Sequence, residues 1–204
     1  DPALRREFTE FLVANGQRDS AIEELQAICR LYEGQDSAAD ALAGALAQLS
    51  ALLPGDIELA VRKAAAEEKA GWSERAADSW LAAAFEYRRA GDSVRALEAY
   101  AHRLRLAPGD DAAREALADY REELGQLAEA ADEWRALADA ARERGHPADE
   151  VQRLERWRAL APCDESLDLR LAGALRRRAE ADREQGRLAD AAAAMGRAIE
   201  MRQD

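Results

Sequence analysis

The sequence predicts an all-α protein, a helical solenoid of about eleven helices, and two recurring patterns support that prediction. The first is a Gly followed by an Ala after five residues and a large apolar residue after four more. It occurs at Gly16-Ala21-Leu25, Gly71-Ala76-Trp80, Gly91-Ala96-Tyr100, Gly125-Ala130-Trp134 and Gly186-Ala191-Met195. The second is a proline at a fixed interval, at Pro54, Pro108 and Pro162, each 54 residues after the one before. A fixed period of this kind is typical of arrays in which each structural repeat contacts only its neighbours.

Between these Gly and Pro positions, apolar residues recur every three or four positions, as on one face of a helix. The pattern predicts helices near 3–15, 18–33, 36–52, 56–70, 73–90, 93–106, 110–124, 127–144, 147–160, 164–185 and 187–202. Capping acceptors precede or open several of them, at Asp19-Ser20, Ser73, Asp92-Ser93 and Asp164, and Pro147 stands where a first turn tolerates proline. No segment alternates in the way a strand does.

Composition narrows the class of function. Of 204 residues, 48% are hydrophobic but only 5% aromatic, so much of the apolar content is Ala, which favours helices that pack closely. The net charge is -12 and no basic stripe is present, which argues against nucleic acid and anionic membranes as ligands. Nearly all basic residues are Arg, which is typical of a GC-rich coding genome and points to a bacterial source.

Localisation follows from what the sequence lacks. No apolar run approaches the roughly 20 residues of a membrane span, and the first residues have no hydrophobic signal core. Cys29 and Cys163 do not form a disulfide framework, so we expect a reducing, cytoplasmic environment. Because the chain begins at Asp1, we also expect a fragment or a processed form.

One segment has a specific resemblance to a known family. Residues 77–110 resemble a single 34-residue tetratricopeptide repeat (TPR), because the expected residue types stand at Trp80, Ala84, Tyr87, Gly91, Ala96, Tyr100, Leu104, Leu106 and Pro108. Weaker matches in 2–35, 111–144, 131–164 and 172–204 extend the resemblance over most of the chain. The resemblance implies one domain over 1–204, a right-handed superhelix of antiparallel helix pairs.

The helix pairs admit two divisions. Strict alternation gives pairs near 2–35, 36–70, 73–107, 110–144 and 147–185, followed by a capping helix at 187–202. The proline interval instead contains three helices, which suggests a three-helix layer of 54 residues. We favour strict alternation. We also expect Leu188, Ala191, Met195 and Ile199 to lie on the inner face of the last helix.

The resemblance also implies a concave groove lined by the first helix of each pair. In 77–110 the groove positions hold Asp78, Leu81, Phe85, Arg88 and Arg89, and in 111–144 they hold Ala112, Glu115, Asp119, Glu122 and Glu123. The groove should therefore begin apolar and basic and then become acidic. Trp72 lies outside the core stripe and is a further candidate for an exposed contact. Trp80 and Trp134 are expected in the core.

The residue patterns that support catalysis or cofactor binding are absent from the sequence. Its two histidines, His102 and His146, form no metal motif, and no zinc spacing, Gly-rich phosphate loop or nucleophile elbow occurs. We therefore expect no enzyme activity, cofactor or metal, and interpret the chain as a protein-interaction scaffold that binds a peptide or helix. The alternative is a regulatory or sensor module from a larger bacterial signalling or secretion protein. Oligomeric state is not predicted.

Two smaller features complete the prediction. Cys163 replaces the Gly of the two Pro-Gly-Asp turns, so its thiol should be accessible at a helix N-terminus. The run Arg176-Arg177-Arg178 has acids close by, and we interpret it as a solvated ion-pair face.

Overall fold

A computed structural model describes residues 2–162 and 164–201 of the chain. Within these residues it contains eleven α-helices, one short 3-10 turn and no strand, so the all-α prediction is confirmed. The chain divides into two compact units, residues 1–110 and residues 111–204. Consecutive helices pack against each other inside each unit, which is the arrangement of a TPR-like helical array.

The first unit contains six α-helices and the 3-10 turn Asp36–Ala38. The helices are α1 (Pro2–Ala14), α2 (Arg18–Tyr32), α3 (Ala39–Leu52), α4 (Ile57–Lys69), α5 (Ser73–Ala90) and α6 (Ser93–Leu106). Side chains cap two of them, because Asp56 accepts the Leu59 N–H at 3.0 Å and Asp92 accepts the Arg95 N–H at 3.1 Å.

The core of the first unit combines leucines with fully buried alanines. Leu25, Leu46, Leu49 and Leu59 form an apolar cluster between α2, α3 and α4. Alanines that share zero exposure line the helix contacts, at Ala21, Ala43, Ala64, Ala76, Ala83, Ala84 and Ala96. Their small side chains let neighbouring helices approach closely, so the Gly-Ala pattern of the sequence corresponds to real packing contacts.

The second unit contains five helices, α7 (Asp111–Glu123), α8 (Leu127–Glu143), α9 (Pro147–Leu160), α10 (Glu165–Glu184) and α11 (Leu188–Glu200). Trp134, Leu137, Leu154, Leu171 and Leu175 belong to one buried cluster that joins these helices. The core position predicted for Trp134 is confirmed, as is that of Trp80 in the first unit.

Helix bounds follow the 54-residue interval of the prolines. α3, α6 and α9 each have 14 residues and begin at 39, 93 and 147. α4 and α7 each have 13 residues and begin at 57 and 111. α10 also begins on the interval, at 165, but it has 20 residues, and α11 begins at 188, which is 61 residues after the start of α8. Each inner helix of a unit packs on both of its neighbours, so the division into pairs and the single domain over 1–204 stay predictions.

The last helix is oriented differently from the prediction. Leu188, Met195 and Ile199 are exposed, whereas Ala194 and Ala198 are the buried residues of α11. The expectation that the large apolar residues face inward is therefore wrong. The physical reason is that small alanines allow α11 to pack closely on α10, and Ala194 and Ala198 lie about 100° around the helix from Met195 and Ile199.

Of the two cysteines, Cys29 is among the residues that the structure describes and Cys163 is not. Cys29 is a free, buried thiol on α2, and burial raises its pKa. The predicted accessibility of Cys163 concerns a residue outside the described ones. Among the described residues, no helix has both the length and the apolar character needed to cross a membrane.

Candidate functional site

The predicted groove residues of α5 share one face of that helix. Asp78, Leu81, Phe85, Arg88 and Arg89 recur at intervals of three and four residues, which places them side by side. Phe85 is 45% exposed and contacts the buried Tyr100 of α6 edge-on, with ring centroids 6.0 Å apart. Leu81 is half-buried, so this face exposes Phe85 more than Leu81.

The charged members of the α5 face already have intramolecular partners. Asp78 forms an ion pair with Arg103 of α6 at 2.8 Å, and Arg89 pairs with Glu86 at 2.5 Å. Arg88 is half-buried and also has a partner. The Arg89–Glu86 pair is exposed, and such pairs are worth little energy, so Arg89 remains accessible to a ligand.

Trp72 lies apart from this face and is half-buried rather than exposed. It precedes α5, packs against the apolar cluster of α2–α4, and carries the Arg75 guanidinium 4.8 Å from its ring centroid. The structure therefore does not bring Trp72 together with Phe85 and Leu81. It places Trp72 at the edge of a different surface feature.

That feature is an open cavity of about 880 Å³ in the first unit, between α1, α2 and α3, with Trp72 at its edge. We call it the α1–α3 groove. Its lining consists of Arg6, Glu10, Leu25, Ile28, Tyr32, Asp40, Ala41, Gly44, Ala45, Gln48 and Trp72. Its volume lies in the range typical of ligand sites, roughly 300–1,000 Å³.

The α1–α3 groove has an apolar floor and a polar rim. Leu25 and Ile28 of α2 are buried beneath it, and Tyr32 of the same helix is half-buried. The rim side chains Arg6, Glu10, Asp40 and Gln48 are exposed. Convergent polar groups around an apolar floor are the usual composition of a site that binds and orients a side chain.

Gly44 explains why space exists at this position. It lies within α3, and a Cβ atom built on it would meet no atom within 4 Å. The neighbouring Ala41 and Ala45 also have short side chains, so α3 presents a shallow wall to the groove. The short side chains of α3 thus widen the space that this helix leaves toward α1.

Sequence reasoning missed most of this groove. Of its eleven lining residues, only Trp72 was a candidate, because the others are small or ordinary residues spread over three helices. The available signal was Gly44, a glycine inside an otherwise regular helical pattern, where it costs stability and indicates a packing or functional reason.

The carboxylates predicted as the acidic continuation of the groove on α7 have arginine partners. Arg156 of α9 pairs with Asp119 at 2.7 Å and with Glu122 at 2.8 Å. Glu115 accepts from Arg153, also of α9, at 3.0 Å. Asp119 and Glu115 keep 50% and 42% of their side-chain surface exposed, and exposed ion pairs are worth little energy, so an acidic ligand-facing surface on α7 stays a prediction.

Asp111, at the start of α7, is the most tightly held carboxylate of that cluster. It pairs with Arg144 at 2.7 Å and with Arg153 at 2.8 Å. The hydrogen bond from Arg144 and the positive charge of Arg153 lower the pKa of Asp111, although partial burial opposes this. The run of arginines in α10 is also paired: Arg176 and Arg178 approach Glu180 and Asp182, and Arg177 reaches the buried Glu150 of α9.

Among the described residues, no group of three or more His, Cys, Asp or Glu side chains is arranged to hold a metal ion. His146 is exposed at the turn before α9, with its Nδ1 3.7 Å from an Asp149 carboxylate oxygen.

No known protein-family model and no curated protein sequence matches this chain. Several solved structures resemble this chain over most of its length at low sequence identity. The TPR-like repeats of a putative kinesin light chain from Podosopora anserina are 17% identical, over 89% of this chain and 96% of that one, with a TM-score of 0.46. A tetratricopeptide repeat protein from Parabacteroides merdae is 15% identical, over 98% and 93%, with a TM-score of 0.34.

A third similar structure is the C-terminal part of a TPR repeat-containing protein from Cytophaga hutchinsonii. It is 14% identical, over 96% of this chain and 78% of that one, with a TM-score of 0.36. With identities and scores this low, the TPR-like fold described above rests on the helices and contacts of this chain itself.

Proposed function

We propose that this protein is a non-catalytic interaction scaffold that holds a segment of a partner protein in the α1–α3 groove. The observation that carries the proposal is the open cavity of about 880 Å³ with an apolar floor and a polar rim. Helical-repeat arrays characteristically use extended surfaces of this kind for binding.

The chemistry of the groove suggests how a segment is held. An apolar side chain of the partner removes the floor residues Leu25, Ile28 and Tyr32 from water, and such buried anchors dominate interface energies. The polar rim then fixes the orientation of the segment. A helix or an extended peptide both satisfy this arrangement.

The α5 face is the second surface that we propose for partner binding, because Phe85 is exposed on it beside Leu81, Arg88 and Arg89. If it is an anchor, Phe85→Ala weakens binding by about 2 kcal/mol or more and leaves the melting temperature unchanged. A lowered melting temperature with full binding by the folded protein would show that Phe85 only packs on Tyr100.

The regulatory or sensor module is a narrower version of the same proposal. In that case the groove takes a segment of the larger protein from which the module comes. The complete open reading frame separates the two, since flanking catalytic or DNA-binding domains favour the module.

The experiment that tests the proposal fills the groove without disturbing the helix. Gly44→Phe projects a ring into the open space, and Gly44→Ala is the matched control that changes the same position but leaves the cavity open. Both proteins and the wild type are immobilised and exposed to a lysate of the source organism. Captured proteins are then quantified by mass spectrometry.

The expected result is a set of proteins retained by the wild type and by Gly44→Ala but lost with Gly44→Phe. Capture that is equal on all three proteins would show that the α1–α3 groove is not the binding surface. Circular dichroism of each variant verifies that the helices remain folded.

A further inference from the structure

The charges around the α1–α3 groove are unbalanced. Two carboxylates, Glu10 and Asp40, and one guanidinium, Arg6, are its charged lining groups. All three are exposed, and none of them forms an ion pair with another described residue. Unpaired charges beside an apolar floor are free to pair with a ligand, so the groove offers more sites for a cation than for an anion.

The surroundings strengthen the imbalance. Residues 1–53 contain 9 acidic and 4 basic residues, a net charge of -5. Of the four arginines, Arg5 pairs with Glu24 and Arg18 donates to the Leu52 carbonyl oxygen, while Arg30 lines a separate cavity beside Cys29. Of these four arginines, Arg6 alone lines the groove, against two carboxylates, so the charged lining groups sum to -1, with Arg75 of α5 over Trp72 at the edge.

The two carboxylates come from different helices that line the same cavity. Glu10 is one turn after Arg6 on α1, and Asp40 is one turn before Gly44 on α3. Both border the same cavity above the apolar side chains of α2. Arg75 already covers the ring of Trp72, so a ligand cation has the carboxylates, rather than the indole face, as its partner.

We propose that the occupant of the α1–α3 groove is a basic, apolar peptide segment: a large apolar side chain on the floor, with an Arg or Lys beside it paired to Glu10 and Asp40. This inference rests on the proposed function and specifies the partner. A long basic side chain suits the site because its methylene stem packs on an apolar surface while its charged head reaches the rim.

A library of random 12-residue peptides displayed on phage tests the inference with the full chain as target. The expected result is enrichment of peptides in which Arg or Lys stands within a few positions of Leu, Phe or Trp. One enriched peptide is then synthesised, and its affinity is measured by calorimetry for the wild type and for the variants.

The informative variant is Glu10→Lys combined with Asp40→Lys, for which the affinity should fall by about tenfold or more, since two attractive pairs become repulsive. The control is Glu23→Lys combined with Glu98→Lys, which changes net charge equally at exposed positions outside the groove. The control should change affinity by less than about threefold. Should the lysine variant unfold, Glu10→Gln with Asp40→Asn replaces it, and its affinity should also fall.

The outcomes separate this inference from the proposed function. Enrichment of acidic or uncharged peptides that Gly44→Phe no longer binds would overturn the basic-segment inference and retain the groove. An unchanged affinity for the lysine variant would do the same. Peptides that bind Gly44→Phe as well as the wild type, or no enrichment at all, would overturn both proposals.

Discussion

The indole N–H of Trp80 donates a hydrogen bond to Glu68 of the preceding helix, with Nε1 and Oε2 3.1 Å apart. The same hydrogen bond recurs 54 residues later, where the indole N–H of Trp134 donates to Glu122 at 2.7 Å. A cationic or aromatic side chain from the following helix covers each indole. His102 stacks on Trp80 at 4.1 Å between centroids, and the Arg156 guanidinium lies 4.8 Å from the ring of Trp134. The 54-residue interval is therefore a repeat of side-chain contacts as well as of helix bounds.

Each of these tryptophans should be worth several kcal/mol to its own unit. Trp80 and Trp134 are 8% and 6% exposed, so truncation to Ala empties core volume and should lower the free energy of unfolding by about 3–5 kcal/mol. Urea unfolding followed by circular dichroism measures the loss. A variant that unfolds at the urea concentration of the wild type would show that its tryptophan is not a core residue.

Trp80→Phe is the matched control for volume against hydrogen bonding. It retains much of the apolar volume and removes the donor to Glu68, so the loss should be only about 1–2 kcal/mol. Glu68 keeps its ion pair with Arg105 at 2.6 Å. Burial opposes the charge on Glu68, but the hydrogen bonds from Arg105 and Trp80 outweigh it and lower the pKa of the carboxyl.

Gly44 should be suboptimal for stability. Because an added Cβ meets open space and the residue lies within a helix, Gly44→Ala should stabilise the protein by up to about 1 kcal/mol. Gly91→Ala provides the comparison, since Gly91 has φ +78° at the end of α5 and an Ala there should destabilise by about 1–2 kcal/mol. If Gly44→Ala lowered the midpoint of urea unfolding, the position would be packed and the groove closed.

Asp111 should contribute to the acid sensitivity of the fold. Its folded pKa is lowered, so its ion pairs stabilise the protein fully above the unfolded pKa and the stabilisation is lost as the pH falls through the folded value. Between about pH 5 and pH 2, the urea midpoint of the wild type should fall more steeply than that of Asp111→Asn. Parallel pH profiles for the two proteins would contradict this assignment.

Helix positions followed from the sequence because local signals determine them. The predicted 93–106 and 147–160 coincide with α6 and α9, where an Asp cap precedes Ser93 and Pro147 opens the first turn. A cap or a proline acts through the nearest turn of backbone, which the sequence contains in full. The buried positions of Trp80 and Trp134 followed similarly from the helical period.

The α1–α3 groove could not be predicted in the same way. It exists because Gly44, Ala41 and Ala45 leave space between helices, and the absence of side-chain volume produces no motif. The face on which α11 packs also depended on whether its alanines or its larger apolar residues contact α10, which the helical period alone does not determine. Predicting the ion pairs of Arg153 and Arg156 with α7 would have required knowing which helices lie side by side.

The most direct test of the α1–α3 groove is nuclear magnetic resonance of the ¹⁵N-labelled full chain, titrated with a peptide selected from the library. We predict that the largest chemical-shift changes occur at the backbone amides of Ile28, Tyr32, Gly44 and Gln48 and at the indole N–H of Trp72. Shift changes concentrated instead at Leu81, Phe85 and Arg89, or within residues 111–201, would contradict it.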